Sequence, residues 1–179
     1  MIAEVITAHY CEAGYFVTAE KPGSEPCQPV NLTIPGNPAM LVLSWPQPGG
    51  VLRFTLPEGS EDLSGYGALS LRAAVNPLSE LNAASSSQAF TVQFTDRLGN
   101  TAAVQTRPDE PALRYPPGYK QENEFFEGGL FSGRVPLTTI RVRLRDFSGV
   151  DLTQISEIAL LFEQTPSGSL FIGDVELVR

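Results

Sequence analysis

The sequence predicts an all-β protein, an antiparallel β-sandwich forming a single domain over residues 1–179. Three observations lead there. The chain spreads 16 Gly and 15 Pro along its length, which punctuates many short elements and leaves no room for long helices. Apolar residues alternate with polar ones in about ten short runs, as where Phe90, Val92 and Phe94 interleave with Thr91, Gln93 and Thr95. Finally, the chain writes one rule twice. "DLSGYGALSLR" at 62–72 and "DLTQISEIALL" at 151–161 share Asp, Leu, then Ser or Thr, followed by apolar residues in matching places: Tyr66 and Ile155, Leu69 and Ile158, Leu71 and Leu160. A step of three belongs to a helical turn and a step of two to a strand, so each copy reads as a capped turn feeding a half-buried strand. Leu63, Leu69, Leu71, Leu152, Ile158 and Leu160 are the expected core of these twinned corners.

Taken in order, "NLTI" (31–34), "AMLVLSW" (39–45) and "GVLRFTL" (50–56) are strand candidates separated by "PGNP" and "PQPGG", a spacing that suggests hairpins. "ALSLRAAV" (68–75) follows, then a polar loop through "PLSELNAASSS", then "QAFTVQFTD" (88–96), which "DRLGN" turns into "TAAVQT" (101–106). Residues 107–133 are irregular and too long for a simple connector. "TTIRVRLRDF" (138–147), "EIALLFEQT" (157–165), the turn "PSGS" and "LFIGDVELV" (170–178) end the chain as three strands, the last closing the sandwich.

A formal charge of −8 argues against nucleic acid, whose phosphates need a basic footprint, and against anionic membrane surfaces. No apolar run reaches the roughly 18 residues of a membrane span. The start "MIAEVITAHYCEAGYF" lacks the basic and apolar segments of a signal peptide. Cys11 and Cys27 nevertheless bracket a Gly- and Pro-containing loop with no metal-binding context, which reads as a disulfide worth about 3 kcal/mol and as an oxidising compartment. The chain is therefore expected to be a module of a longer secreted or extracellular polypeptide.

The closing stretch "DFSGVDLTQISEIALLFEQTPSGSLFIGDVEL", together with "DLSGYGALSLR", resembles jelly-roll carbohydrate-binding modules of the galactose-binding-like type found on secreted bacterial enzymes. In those, a strand, a DLS-like turn, another strand and a Ser-Gly hairpin precede a last strand that ends in an acidic motif. The resemblance implies a jelly roll, a noncatalytic role and a glycan partner. It also implies a structural calcium between the first and last strands, for which Asp174 and Glu4 are the matching carboxylates, although Gly173 stands where a second consecutive acid is expected.

The residues themselves offer little catalysis. His9 is the single histidine, no GxSxG elbow presents a serine, and none of the 20 acidic residues is spaced to suggest a catalytic pair. Sugar binding needs aromatic faces and planar hydrogen-bonding groups. Outward strand positions read as Ser70, Arg72, Ala74, Thr91, Gln93, Thr95, Arg141, Arg143 and Arg145, with no aromatic among them. Arg72, Gln93, Arg141 and Arg143 are candidate polar contacts, while an Arg stripe is more often the mark of a solvated face that neutralises acidic neighbours. Aromatics concentrate instead in the long stretch, where Tyr115 and Tyr119 in "LRYPPGYKQ" could form a platform beside Arg114 and Gln121. The expected function is a noncatalytic, carbohydrate-binding accessory module of a secreted bacterial protein. The alternative is a structural or docking sandwich packed on a neighbouring domain or partner protein, with a small hydrolase third.

Overall fold

The computed structural model describes residues 7–10, 28–29, 40–76, 79–82, 87–114 and 137–179. Ten strands lie among them: β1 (Thr7–Tyr10), β2 (Gln28–Pro29), β3 (Met40–Trp45), β4 (Gly50–Thr55), β5 (Ala68–Val75), β6 (Thr91–Asp96), β7 (Thr101–Gln105), β8 (Thr138–Arg143), β9 (Ile155–Phe162) and β10 (Gly168–Val178). They form a six-stranded sheet in the order β2-β1-β4-β9-β6-β7 and a four-stranded sheet in the order β3-β10-β5-β8. Every pairing is antiparallel. The expected strand at 31–34 lies outside the described residues.

From β3 onward the chain changes sheet at every connection except β6 to β7, and β9 and β10 return to the middle of their sheets. Eight strands shared between two four-stranded layers in this order are a jelly roll. "PQPGG" and "PSGS" are therefore not hairpins. Each is an arch from one sheet to the other, because β3 pairs with β10 rather than β4, and β9 pairs with β4 and β6 rather than β10. The hairpin at "DRLGN" forms as expected: Asp96 Oδ1 accepts the backbone N–H of Leu98 and of Asn100 at 2.9 Å each, and Gly99 supplies the φ of 82°.

The core lies between the sheets. Leu43, Leu69, Leu71, Ile140, Val142, Leu170 and Ile172 from the small sheet meet Leu52, Val92, Phe94, Ile158, Leu160 and Phe162 from the large one, all buried. Phe94 stacks on Phe147 at 4.1 Å near the start of β9, and Trp45 stacks on Phe162 at 4.5 Å at its end. Trp45 Nε1 also donates to Thr165 Oγ1 at 3.0 Å. This tryptophan is part of the core.

The doubled motif builds two corners that touch. Asp62 Oδ1 accepts the N–H and hydroxyl of Ser64 at 3.0 and 2.6 Å, and Asp151 Oδ1 accepts the same groups of Thr153 at 2.9 and 2.7 Å. These are Asx turns rather than turns of helix, because the side chain takes the place of a backbone acceptor. Leu63 N–H donates to the Leu152 carbonyl at 2.7 Å and Ile155 N–H to the Glu61 carbonyl at 3.0 Å, joining the copies. Leu63 is buried while Leu152 is only half-buried. The strand expected over 138–147 stops at Arg143. Leu144–Asp146 form a 3-10 turn that swings Phe147 inward onto Phe94, so Arg145 does not continue the sheet face.

Candidate ligand-binding faces

Alternation gives each sheet an outer face. On the small sheet, Ala68, Ser70, Arg72 and Ala74 of β5 point out between β8 and β10. Register sets Ser70 between Arg141 and Glu176, Ala68 between Arg143 and Val178, and Arg72 between Thr139 and Gly173. Three of the four β5 residues are nevertheless buried, since larger neighbours overhang their short side chains. A bulge between Gly173 and Glu176 puts Asp174 at φ 47°, a conformation Asp tolerates better than most residues. Its Oδ2 accepts from Arg72 Nη1 at 2.9 Å, and both side chains are nearly half exposed, at 42% and 48%. Such a pair contributes little stability.

That pairing bears on the expected calcium. A guanidinium in contact with Asp174 opposes a divalent cation, and among the described residues no group of three or more His, Cys, Asp or Glu side chains could hold a metal ion. The described part of the pair does not fit the ion, and Glu4 lies outside the described residues.

On the large sheet, Arg53, Ala159, Gln93 and Ala103 lie level across β4, β9, β6 and β7. Arg53 Nη1 donates to Glu157 Oε1 at 2.9 Å, with the two side chains only 23% and 26% exposed. Ala159 is fully buried and Gln93 half-buried. Beyond them, Thr91 Oγ1 donates to Glu163 Oε1 at 3.3 Å and accepts from Gln164 Nε2 at 3.0 Å. Planar carboxylate, amide and guanidinium groups thus share this face with the small side chains of Ala159 and Ala103 and with the half-buried Val51 and Leu161. Sequence reasoning missed Arg53, Glu157, Glu163 and Gln164. Alternation in "VLRFT" and "EIALL" turns Arg53 and Glu157 outward, but their meeting depends on the β4–β9 register, which no local pattern records.

The expected ligand residues therefore do not form one site. Arg72, Arg141 and Arg143 share the small-sheet face, whereas Gln93 lies on the opposite face of the sandwich. Arg114 is exposed after the 3-10 turn Pro111–Leu113, whose Leu113 carbonyl accepts from Gln88 N–H at 2.7 Å. Tyr115, Tyr119, Gln121 and both cysteines lie outside the described residues, and of His9 only the backbone is described, level with Arg53.

No family model matches the chain, and no curated protein matches it in sequence. Two solved structures are similar to it. One is the family 11 carbohydrate-binding module of the cellulosomal cellulase Lic26A-Cel5E of Clostridium thermocellum, with 11% identity, a TM-score of 0.45, and coverage of 78% of this chain and 82% of that one. The other is a family 11 carbohydrate-binding module from Clostridium thermocellum in complex with a β-1,3-1,4-mixed-linked tetrasaccharide, with 13% identity, a TM-score of 0.45, and coverage of 78% and 83%. The strand order by itself establishes the jelly roll in this chain.

Proposed function

We propose that this chain is a noncatalytic accessory module of a secreted protein and that it binds carbohydrate. The observation that carries the reading is the outer face of the large sheet. There Arg53, Glu157 and Gln93 set charge-balanced, planar hydrogen-bonding groups around the small side chains of Ala159 and Ala103. Fixed groups of that kind suit a neutral polyol, which offers many hydroxyls and no charge. Most aromatic rings on the described part of the fold are spent elsewhere: Trp45, Phe54, Phe90, Phe94, Phe147 and Phe162 are buried, and Tyr66 lies under the Arg179 guanidinium at 5.7 Å, while Phe171 is half-buried on the opposite, small-sheet face, level with Ala74. Tyr115 and Tyr119, which follow the exposed Arg114, are the proposed stacking residues, with Gln121 beside them in sequence.

A docking sandwich would show a broad apolar face, and among the described residues Leu98 is the one large hydrophobic side chain that is exposed. That favours the glycan reading over the docking one. A glycan array, run on oxidised and reduced protein side by side, tests it. Binding to one class of neutral polysaccharide is the expected result, and an array with no binder in either state overturns the reading in favour of docking.

A further inference from the structure

We infer that β7 is a pairing edge for a second copy of this chain. It ends the large sheet, and among the described residues no strand lies on its outer side. At the two ends of the β6–β7 ladder, Asp96 N–H bonds the Asn100 carbonyl and Thr106 N–H bonds the Phe90 carbonyl. Bonded positions alternate in an antiparallel pair, so Ala102 and Val104 turn their polar groups to β6. The N–H and C=O of Thr101, Ala103 and Gln105 point away from the sheet, and all three residues are exposed.

Edge strands of this kind are normally blunted by charge, proline or cover. The other edges follow that rule: β8 carries Arg141 and Arg143, β2 ends in Pro29, and β3 has Leu43, Ser44 and Trp45 buried. Strand β7, "TAAVQ", has neither charge nor proline. In a chain of net charge −8, which repels its own copies over most of its surface, this is a neutral strip. Its flanking charges are already balanced within the chain, Arg107 by Asp109 at 2.6 Å and Arg97 by Glu61.

The strip is also self-complementary. Its outward residues are symmetric about Ala103, so a two-fold axis there sets Ala103 against its own copy and Thr101 against the second copy's Gln105. Up to about six backbone hydrogen bonds form with no like charges opposed. The same axis brings the β6–β7 turn, with Leu98 78% exposed, alongside the second copy's turn at Pro108. Two large sheets become one, and two outer faces lie side by side. For a repeating glycan that arrangement adds avidity. The avidity rests on the proposed function, whereas the pairing does not.

Sedimentation velocity over a concentration series, with amide hydrogen exchange followed residue by residue, tests the pairing on the whole chain. The expected result is a monomer–dimer equilibrium in which the amides of Thr101, Ala103 and Gln105 gain protection as dimer forms, while those of Ala102 and Val104 are protected throughout. Ala103→Lys opposes two charges at the axis and Ala103→Pro removes an outward N–H that β6 does not use. Each should raise the dissociation midpoint by about tenfold or more, and Ala103→Ser should leave it in place. Circular dichroism checks the fold, and the Lys variant answers alone if the Pro variant misfolds. A monomer at every concentration, or a dimer indifferent to Ala103→Lys, overturns the inference. A dimer that binds no glycan upholds the pairing and overturns the proposed function.

Discussion

A Cβ placed on Gly168 would come within 2.2 Å of both Trp45 Cζ2 and Gln88 Oε1. The indole there is stacked on Phe162 and tied to Thr165, so it cannot move aside freely. Gly168→Ala should therefore destabilise the fold by about 1–3 kcal/mol, the range for overpacking. Gly65→Ala, where nothing stands within 4 Å of the added carbon, should stay within about 0.5 kcal/mol. Leu160→Ala, which empties a fully buried site, should cost about 2–5 kcal/mol. Denaturant midpoints for the three variants check this ranking, and an unchanged midpoint for Leu160→Ala would remove the basis for reading the doubled motif as a core signal. At this scale the sequence was informative about direction. Period two correctly turned Leu69, Leu71, Ile158 and Leu160 inward. It also turned Ser70, Ala74 and Thr91 outward, yet these are buried. Alternation fixes the face a side chain takes, while exposure depends on neighbours that pairing brings in later.

The touching corners form the most tightly bonded acidic region of the described fold. The Ser64 hydroxyl holds the Asp62 carboxyl below the usual range, the Asn100 side chain does the same for Asp96, and the Thr153 hydroxyl for Asp151. Arg97 lowers Glu61 beside them. Opposing this, Asp62 feels the charge of Asp151, and Asp151 that of Asp96. A carboxyl whose pKa is depressed on folding contributes stability that is fully present above its unfolded pKa and is lost as pH falls through the folded one. Stability should thus hold from neutrality down to about pH 4 and fall below it. Urea unfolding across an acidic pH series should show this decline, and it should be shallower in the Asp62→Asn, Asp151→Asn double variant. An identical slope in both proteins would mean that the corners are not the acid-sensitive element. The turns themselves were legible, because Asp-x-Ser/Thr and Gly99 carry local backbone chemistry. The arches were not: a tight turn looks the same whether the strands it joins pair with each other or with partners more than a hundred residues away, as Trp45 does with Gly168.

At the level of the whole molecule, the order of the strands bears out the jelly-roll sandwich that the closing motif implied, and that order is a consequence of long-range register. The candidate ligand residues were hard to place for the same reason. Gln93 and Arg141 read alike in sequence, but β6 and β8 belong to different sheets, so the sandwich separates them. The reading of an exported module depends on Cys11 and Cys27, and intact mass before and after reduction and alkylation should show one bond in protein made in an oxidising compartment; two free thiols would remove that support. The central claim is glycan capture, and titration calorimetry with the neutral polysaccharide selected on the array tests it most directly. Each aromatic contact is worth about 0.5–1.5 kcal/mol beyond its area. Replacing both Tyr115 and Tyr119 with Ala should therefore weaken binding by roughly one to two orders of magnitude, with the melting temperature preserved. Replacing Arg141 and Arg143 with Gln, on the small-sheet face, should leave the affinity unchanged. Wild-type affinity in the double Tyr variant, or no measurable binding by the unaltered chain, would contradict the account.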